Sequence, residues 1–326
     1  MTRTHEWQVP VDQCDVSDKA GLTRFRELAD VWIKALDTDD ENSVTTQVLD
    51  MMWMDAAWRS MNEARRLAIR DEQVGTPGMV AVLLDRGYIA GQVIAIGRLL
   101  DPSASQPKRQ VNSIRRLVDD IAANRDLFTR EVYVSRDGLP YDYQAVQARE
   151  LSAITNTEIR WMPTTGSTAW HMSSLQHRQF DRLSGVAPDA RSRNDTISDS
   201  IFDGMLAAFD EQVFKDITDM RHKSIAHAAD DFSRSTAKNL RSGLSLDEFA
   251  RAHYLLLGLY QAISANLLYQ SWLTDAVAVP QYDQFEGFDK PLVATEGIVE
   301  LHSFWDAHGD ERNDWMLKAY HEFIPE

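Results

Sequence analysis

Leu22, Phe25, Leu28, Ala29, Trp32, Ile33 and Leu36 fall at steps of three and four residues, as do Leu206, Phe209, Val213, Ile217 and Met220. An α-helix turns about 100° per residue, so this spacing gathers apolar side chains into one stripe, whereas a strand needs strict alternation. The pattern recurs through Val48, Met51, Met52 and Ala56, through Ile114, Leu117, Val118 and Ile121, and through Leu256, Leu259, Ile263 and Leu267. Helices that carry an apolar stripe bury it against one another, which predicts an all-α helical bundle. Met51, Met52, Trp53 and Met54 read as part of its core.

The breaks in this pattern divide the chain. Gly75-Thr76-Pro77-Gly78 punctuates the first helices, after which 79–84, 89–100 and 111–122 read as helix. Residues 1–130 thus supply the N-terminal helices of the bundle. Between 131 and 200, Pro140, Pro163, Gly166, Gly185 and Pro188 weaken the signal; the segment reads as an irregular insertion with short helices at 143–156 and 173–184. A strand pair near Val132 and Trp161 is a second reading of that region. Residues 201–279 form a helical hairpin, whose second helix opens at Ser245 and Glu248 with capping-box spacing and runs toward Trp272. Residues 280–326 are an acidic, aromatic extension whose Tyr282, Phe285, Phe288, Trp305, Trp315, Tyr320 and Phe323 imply packing onto a single composite domain.

Charge narrows the function. The net charge of −16 opposes a general nucleic-acid coat, because such binding rests on neutralising phosphates. Half of it lies in 281–326, where 11 acidic residues face 3 basic ones; residues 215–241 carry 6 basic and 4 acidic residues. A local excess of +2 suits a confined anion site. A single cysteine, Cys14, excludes an intrachain disulfide and a cysteine-based zinc site. The longest apolar run reads as 254–268, too short to span a bilayer, and Met1 to Gln13 lack a secretory core; a cytoplasmic protein without a membrane partner is expected.

The basic stretch contains Arg221-His222-Lys223-Ser224-Ile225-Ala226-His227. Histidine takes and gives a proton near neutral pH, and arginine stays charged and offers a planar fork that matches phosphate oxygens. Proton transfer and stabilisation of developing charge are what phosphodiester cleavage needs without a metal. On a regular helix, Arg221 and His227 stand about 120° apart and about 9 Å along the axis. Their convergence on one phosphate needs a break in the helix, a long arginine reach or a second chain.

An arginine, a polar residue directly after it and a histidine following five intervening residues resemble the signature of the HEPN superfamily. Met220 to His227, at the end of an amphipathic helix, is similar to its abortive-infection branch, as are Ile96-Gly97-Arg98-Leu99-Leu100-Asp101-Pro102 and Ser113-Ile114-Arg115-Arg116-Leu117. The resemblance covers 44–122 and 201–272. It implies a HEPN-type helical bundle and a metal-independent endoribonuclease, acting as a toxin or antiviral effector, with no cofactor. Arg221 and His227 would be the catalytic pair, His222 the polar helper and Lys223 a substrate contact. RNA would be the substrate, the chain would form a homodimer with the two motif segments facing, and an antitoxin or nucleotidyltransferase would be a further partner.

Two other readings stand beside this one. Arg221 and His227 can cap helix carbonyls and pair with Asp216, Asp219 or Asp230, leaving a non-catalytic helical protein for dimerisation, nucleotide binding or partner binding. His302, His308, Asp306, Asp310 and Glu311 read as a solvated acidic surface rather than a metal site.

Overall fold

The structure, a computed structural model, describes residues 6–39, 41–68, 78–104, 106–152, 161–225, 243–270, 275–277, 281–288, 290, 297–300, 302–307 and 309–311. The chain divides into two compact units, Met1–Ala278 and Val279–Glu326. Among the described residues the architecture is all-α, with one isolated antiparallel bridge between Thr129 and Thr196 and no strand.

The first unit begins with α1 (Lys19–Ile33), capped by Asp18, whose carboxylate accepts from the Gly21 amide. Leu22, Phe25, Ala29, Trp32 and Ile33 form its buried stripe, as their spacing requires. Phe128 meets the Phe25 ring edge-on at 5.3 Å and stacks on Trp32 at 5.9 Å. A π turn, Lys34–Thr38, ends the helix and buries Ala35 and Leu36.

α2 (Val44–Ala68) packs along α3 (Gly78–Leu99). The two share a polar spine: Trp58 stacks on Tyr88 at 4.0 Å, Arg65 forks onto Asp85 at 2.8 and 3.1 Å, and the Tyr88 hydroxyl donates to Asp55 at 2.5 Å. The gap expected between 84 and 89 is absent. Asp85 and Arg86 break the apolar pattern but not the backbone, because no proline intervenes and Arg65 satisfies Asp85. As one piece, α3 is 22 residues long and apolar enough by length and composition to cross a bilayer, which the run at 254–268 is not. Its second half buries Tyr88, Gln92, Val93, Ile96, Gly97 and Leu99; its first half exposes Met79, Val82 and Leu83.

α4 (Ile114–Ala123) follows, with Ser113 accepting from the Arg116 amide and Ile114, Leu117, Val118 and Ile121 buried. The segment expected as an irregular insertion instead contributes to the core. α5 (Arg130–Ser135) is buried at all six positions and packs on α7 (Trp170–Ser184), with α6 (Tyr143–Ser152) alongside. Arg130, fully buried, donates to Asp195 at 2.8 Å and Asp181 at 2.7 Å and lies 4.7 Å over the Phe180 ring. The suggested strand pair does not form: Val132 lies in α5, and Trp161 is exposed.

α8 (Asp199–Ala208) and α9 (Gln212–Met220) lead into a π turn, Arg221–Ile225. α10 (Leu246–Gln261) starts with the expected capping box: Glu248 accepts from the Ser245 amide at 2.7 Å, and Ser245 Oγ accepts from the Glu248 amide at 3.2 Å. α10 packs against α2, α3, α4 and α9 and continues as a π turn, Ala262–Leu267. His253 of α10 meets Gln92 at 2.9 Å inside the core, and Gln92 in turn donates to the Met51 carbonyl at 3.0 Å.

In the second unit, Phe285 and Phe288 meet edge-on at 5.5 Å, yet Tyr282, Phe285, Phe288, Phe304 and Trp305 are all exposed. Trp315, Tyr320 and Phe323 lie outside the described residues.

Candidate functional site

The motif begins where α9 stops being regular. Val213, Phe214 and Ile217 anchor α9 in the core, and Met220 and Ile225 pack against its margin. Between these last two the backbone takes π geometry, a widened turn often found at functional sites. The 100° step therefore does not describe Arg221 to Ile225.

Arg221 reaches across to the C-terminal end of α3. Its Nη1 donates to Asp101 Oδ1 at 2.7 Å and to the Gly97 carbonyl at 2.9 Å, and its Nη2 donates to Asp101 Oδ2 at 3.1 Å. The arginine side chain is 24% exposed and the aspartate 33%. A Cβ on residue 97 would stand 2.6 Å from Arg221 Cδ, so a glycine is what lets the guanidinium lie against α3. Gly97 and Asp101 belong to one stretch that the sequence singles out and Arg221 to another, and the fold puts these three residues in direct contact.

This geometry orients the guanidinium without using it up. Arginine has five N–H donors and two bidentate edges, the end between the two Nη atoms and the side between Nε and Nη2. Asp101 takes the end. Among the described residues nothing accepts from the side edge, which a phosphate oxygen pair can match. Asp101 also lines a polar concavity of about 350 Å³ with Asp39, Asn42, Gln47, Arg98 and Asn112. A second concavity, about 280 Å³, has Leu100, Arg115, Phe209, Thr218 and Asp219 in its wall.

The other motif residues are placed less tightly. His222 is exposed, and Lys223 pairs with Asp219 one turn back at 3.7 Å. Asp216 accepts from Gln212 at 2.9 Å. Of the acids considered as structural partners for Arg221, neither Asp216 nor Asp219 holds it. Asp230 and His227 lie outside the described residues, so the structure does not address whether His227 meets Arg221. Sequence reasoning missed Asp101 as the partner of Arg221. A pairing across 120 residues leaves no spacing signature.

Among the described residues no group of three or more His, Cys, Asp or Glu side chains is placed to hold a metal ion. His177, six residues after His171, is a core residue: its Nε2 meets the Tyr141 carbonyl at 2.9 Å, and burial lowers its pKa to about 4. No family model, no curated protein and no solved structure matches the chain.

Proposed function

We propose that the chain is a metal-independent endoribonuclease of HEPN type, with Arg221 holding the scissile phosphate and His227 moving the proton. The observation that carries this reading is the oriented, partly exposed guanidinium of Arg221, clamped by Asp101 and the Gly97 carbonyl, with no acceptor on its side edge among the described residues. In the proposed reaction the ribose 2′-oxygen attacks the neighbouring phosphorus and loses its proton, and the bond to the 5′-oxygen breaks. The products are a 2′,3′-cyclic phosphate and a 5′-hydroxyl. Arg221 offsets charge on the phosphoryl oxygens, His222 is the polar helper beside it, Lys223 contacts the substrate, and Asp101 positions Arg221.

The active form is proposed to be a homodimer with the two motif segments facing; light scattering that shows only a 37.1 kDa monomer would count against it. A cytoplasmic toxin or antiviral effector, held by an antitoxin or nucleotidyltransferase partner, is the setting this chemistry fits. The test is cleavage of RNA in excess chelator with analysis of the product ends. Cyclic phosphate and 5′-hydroxyl ends are expected, lost in His227→Ala. Cleavage that persists in His227→Ala, or that needs added metal, overturns the mechanism, and a wild-type chain that cleaves nothing leaves the non-catalytic reading.

A further inference from the structure

A concavity of about 390 Å³ opens between α7 and the end of the α10 helix, remote in sequence from the Arg221 motif. Its wall includes Arg178 and Arg182, one turn apart on α7, with Gln179, Asn266 and Tyr269. No carboxylate lines it, although the chain carries −16 and the other concavities described above each include an aspartate. Both arginines are exposed, and among the described residues neither has an acidic partner within ion-pair distance. Such a pair is a fork-bearing surface for an anion.

A third guanidinium lies close to Tyr269. Arg136 is buried and donates to the Leu267 carbonyl at 3.3 Å and the Leu268 carbonyl at 2.9 Å. Tyr133 and Tyr269 lie 5.6 and 5.9 Å from its centre. No carboxylate among the described residues comes within ion-pair distance of it, so its charge adds to the positive potential near the concavity.

Tyr269 supplies the second observation. It is the non-glycine residue with positive φ among those described, at 55°. It closes the C-terminus of the α10 helix, where the Leu268 amide donates to Ile263 and the Gln270 amide to Ser264. Glycine fills such a position without strain; a tyrosine here places a ring in the wall instead. Beside it Gln179 Nε2 donates to Asn266 Oδ1 at 2.6 Å. Asn266 Nδ2 and Gln179 Oε1, without another partner among the described residues, present a donor next to an acceptor, the pattern that pairs with the edge of a heteroaromatic base.

We propose that this concavity binds a nucleoside monophosphate, with the phosphate across Arg178 and Arg182, the base on the Tyr269 ring and the base edge on the Gln179–Asn266 amides. The site is independent of the Arg221 reading and stands whether or not the chain cleaves RNA.

The test is calorimetric titration of the full chain with AMP, inorganic phosphate and adenosine at low salt. AMP is expected to bind at least about 10-fold more tightly than either fragment. Arg178→Ala/Arg182→Ala should weaken AMP binding by at least about 10-fold. Tyr269→Gly, which relieves the left-handed residue and so keeps the fold, should weaken it about 5- to 10-fold, while Tyr269→Phe retains it. Arg221→Ala should leave it unchanged. Absence of AMP binding, phosphate binding as tight as AMP, full affinity in Tyr269→Gly, or loss in Arg221→Ala but not in the double variant would each overturn the proposal.

Discussion

Arg221 has five N–H donors, and three of its hydrogen bonds are spent on Asp101 and the Gly97 carbonyl. Among the described residues one edge of this fixed plane has no acceptor, and a fixed plane is more useful to a phosphate than a mobile side chain would be, because misplacement of about 1 Å can cost about 100-fold in rate. Gly97 makes the placement testable. Alanine at 97 gains about 1 kcal/mol of helix propensity, while its Cβ would displace Arg221 and forfeit a partly exposed ion pair of about 1 kcal/mol. Gly97→Ala is therefore expected to unfold within about 1 kcal/mol of wild type in urea but to cleave RNA about 100-fold more slowly. A variant with full activity would remove the role assigned to the Gly97 contact. The arginine itself was legible in the sequence, since its spacing to His222 and His227 is local. Its anchor was not, because an aspartate 120 residues away is ordinary until the fold brings it near.

At the level of elements, what was legible is what depends on neighbours along the chain. The Ser245–Glu248 box and the stripes of α1, α4 and α9 follow from side chains within a turn of one another. α5 escaped notice because it is six residues long and buries Arg130 and Glu131 beside its valines, which hides any apolar period. The π turns escaped as well, since they change the backbone hydrogen-bond step without changing residue type. The α5–α7 junction rests on Arg130, whose removal strands Asp195 and part of the charge on Asp181. Arg130→Ala is expected to cost about 3 to 5 kcal/mol in urea unfolding, because a buried pair broken on one side leaves uncompensated charge. A cost under about 1 kcal/mol would show that water reaches the site and that the segment is peripheral after all.

For the molecule as a whole, the first unit is a polar-threaded helical core, and the described aromatics of the second unit are exposed. The sequence could not reveal that exposure, since aromatic content alone does not say whether enough partners exist to bury it. The core also carries a pH dependence. Burial holds the His177 pKa at about 4, below the value near 6.5 of an exposed histidine, so the unfolded chain binds the extra proton between those limits. The stability associated with neutral His177 is present above about pH 6.5 and is lost as pH falls toward 4. The thermal midpoint should fall over that range more steeply in wild type than in His177→Gln, which keeps a donor for the Tyr141 carbonyl; carboxylates titrate equally in both. Parallel slopes would contradict the burial of His177.

The most direct measurement is the rate of RNA cleavage in excess chelator by wild type and by Arg221→Ala, with thermal unfolding recorded for both. The expected result is a folded variant whose rate falls by at least about 100-fold, the loss typical of removing one preorganised donor from a developing negative charge. A folded Arg221→Ala protein that cleaves at the wild-type rate would contradict the assignment of Arg221 to the phosphate.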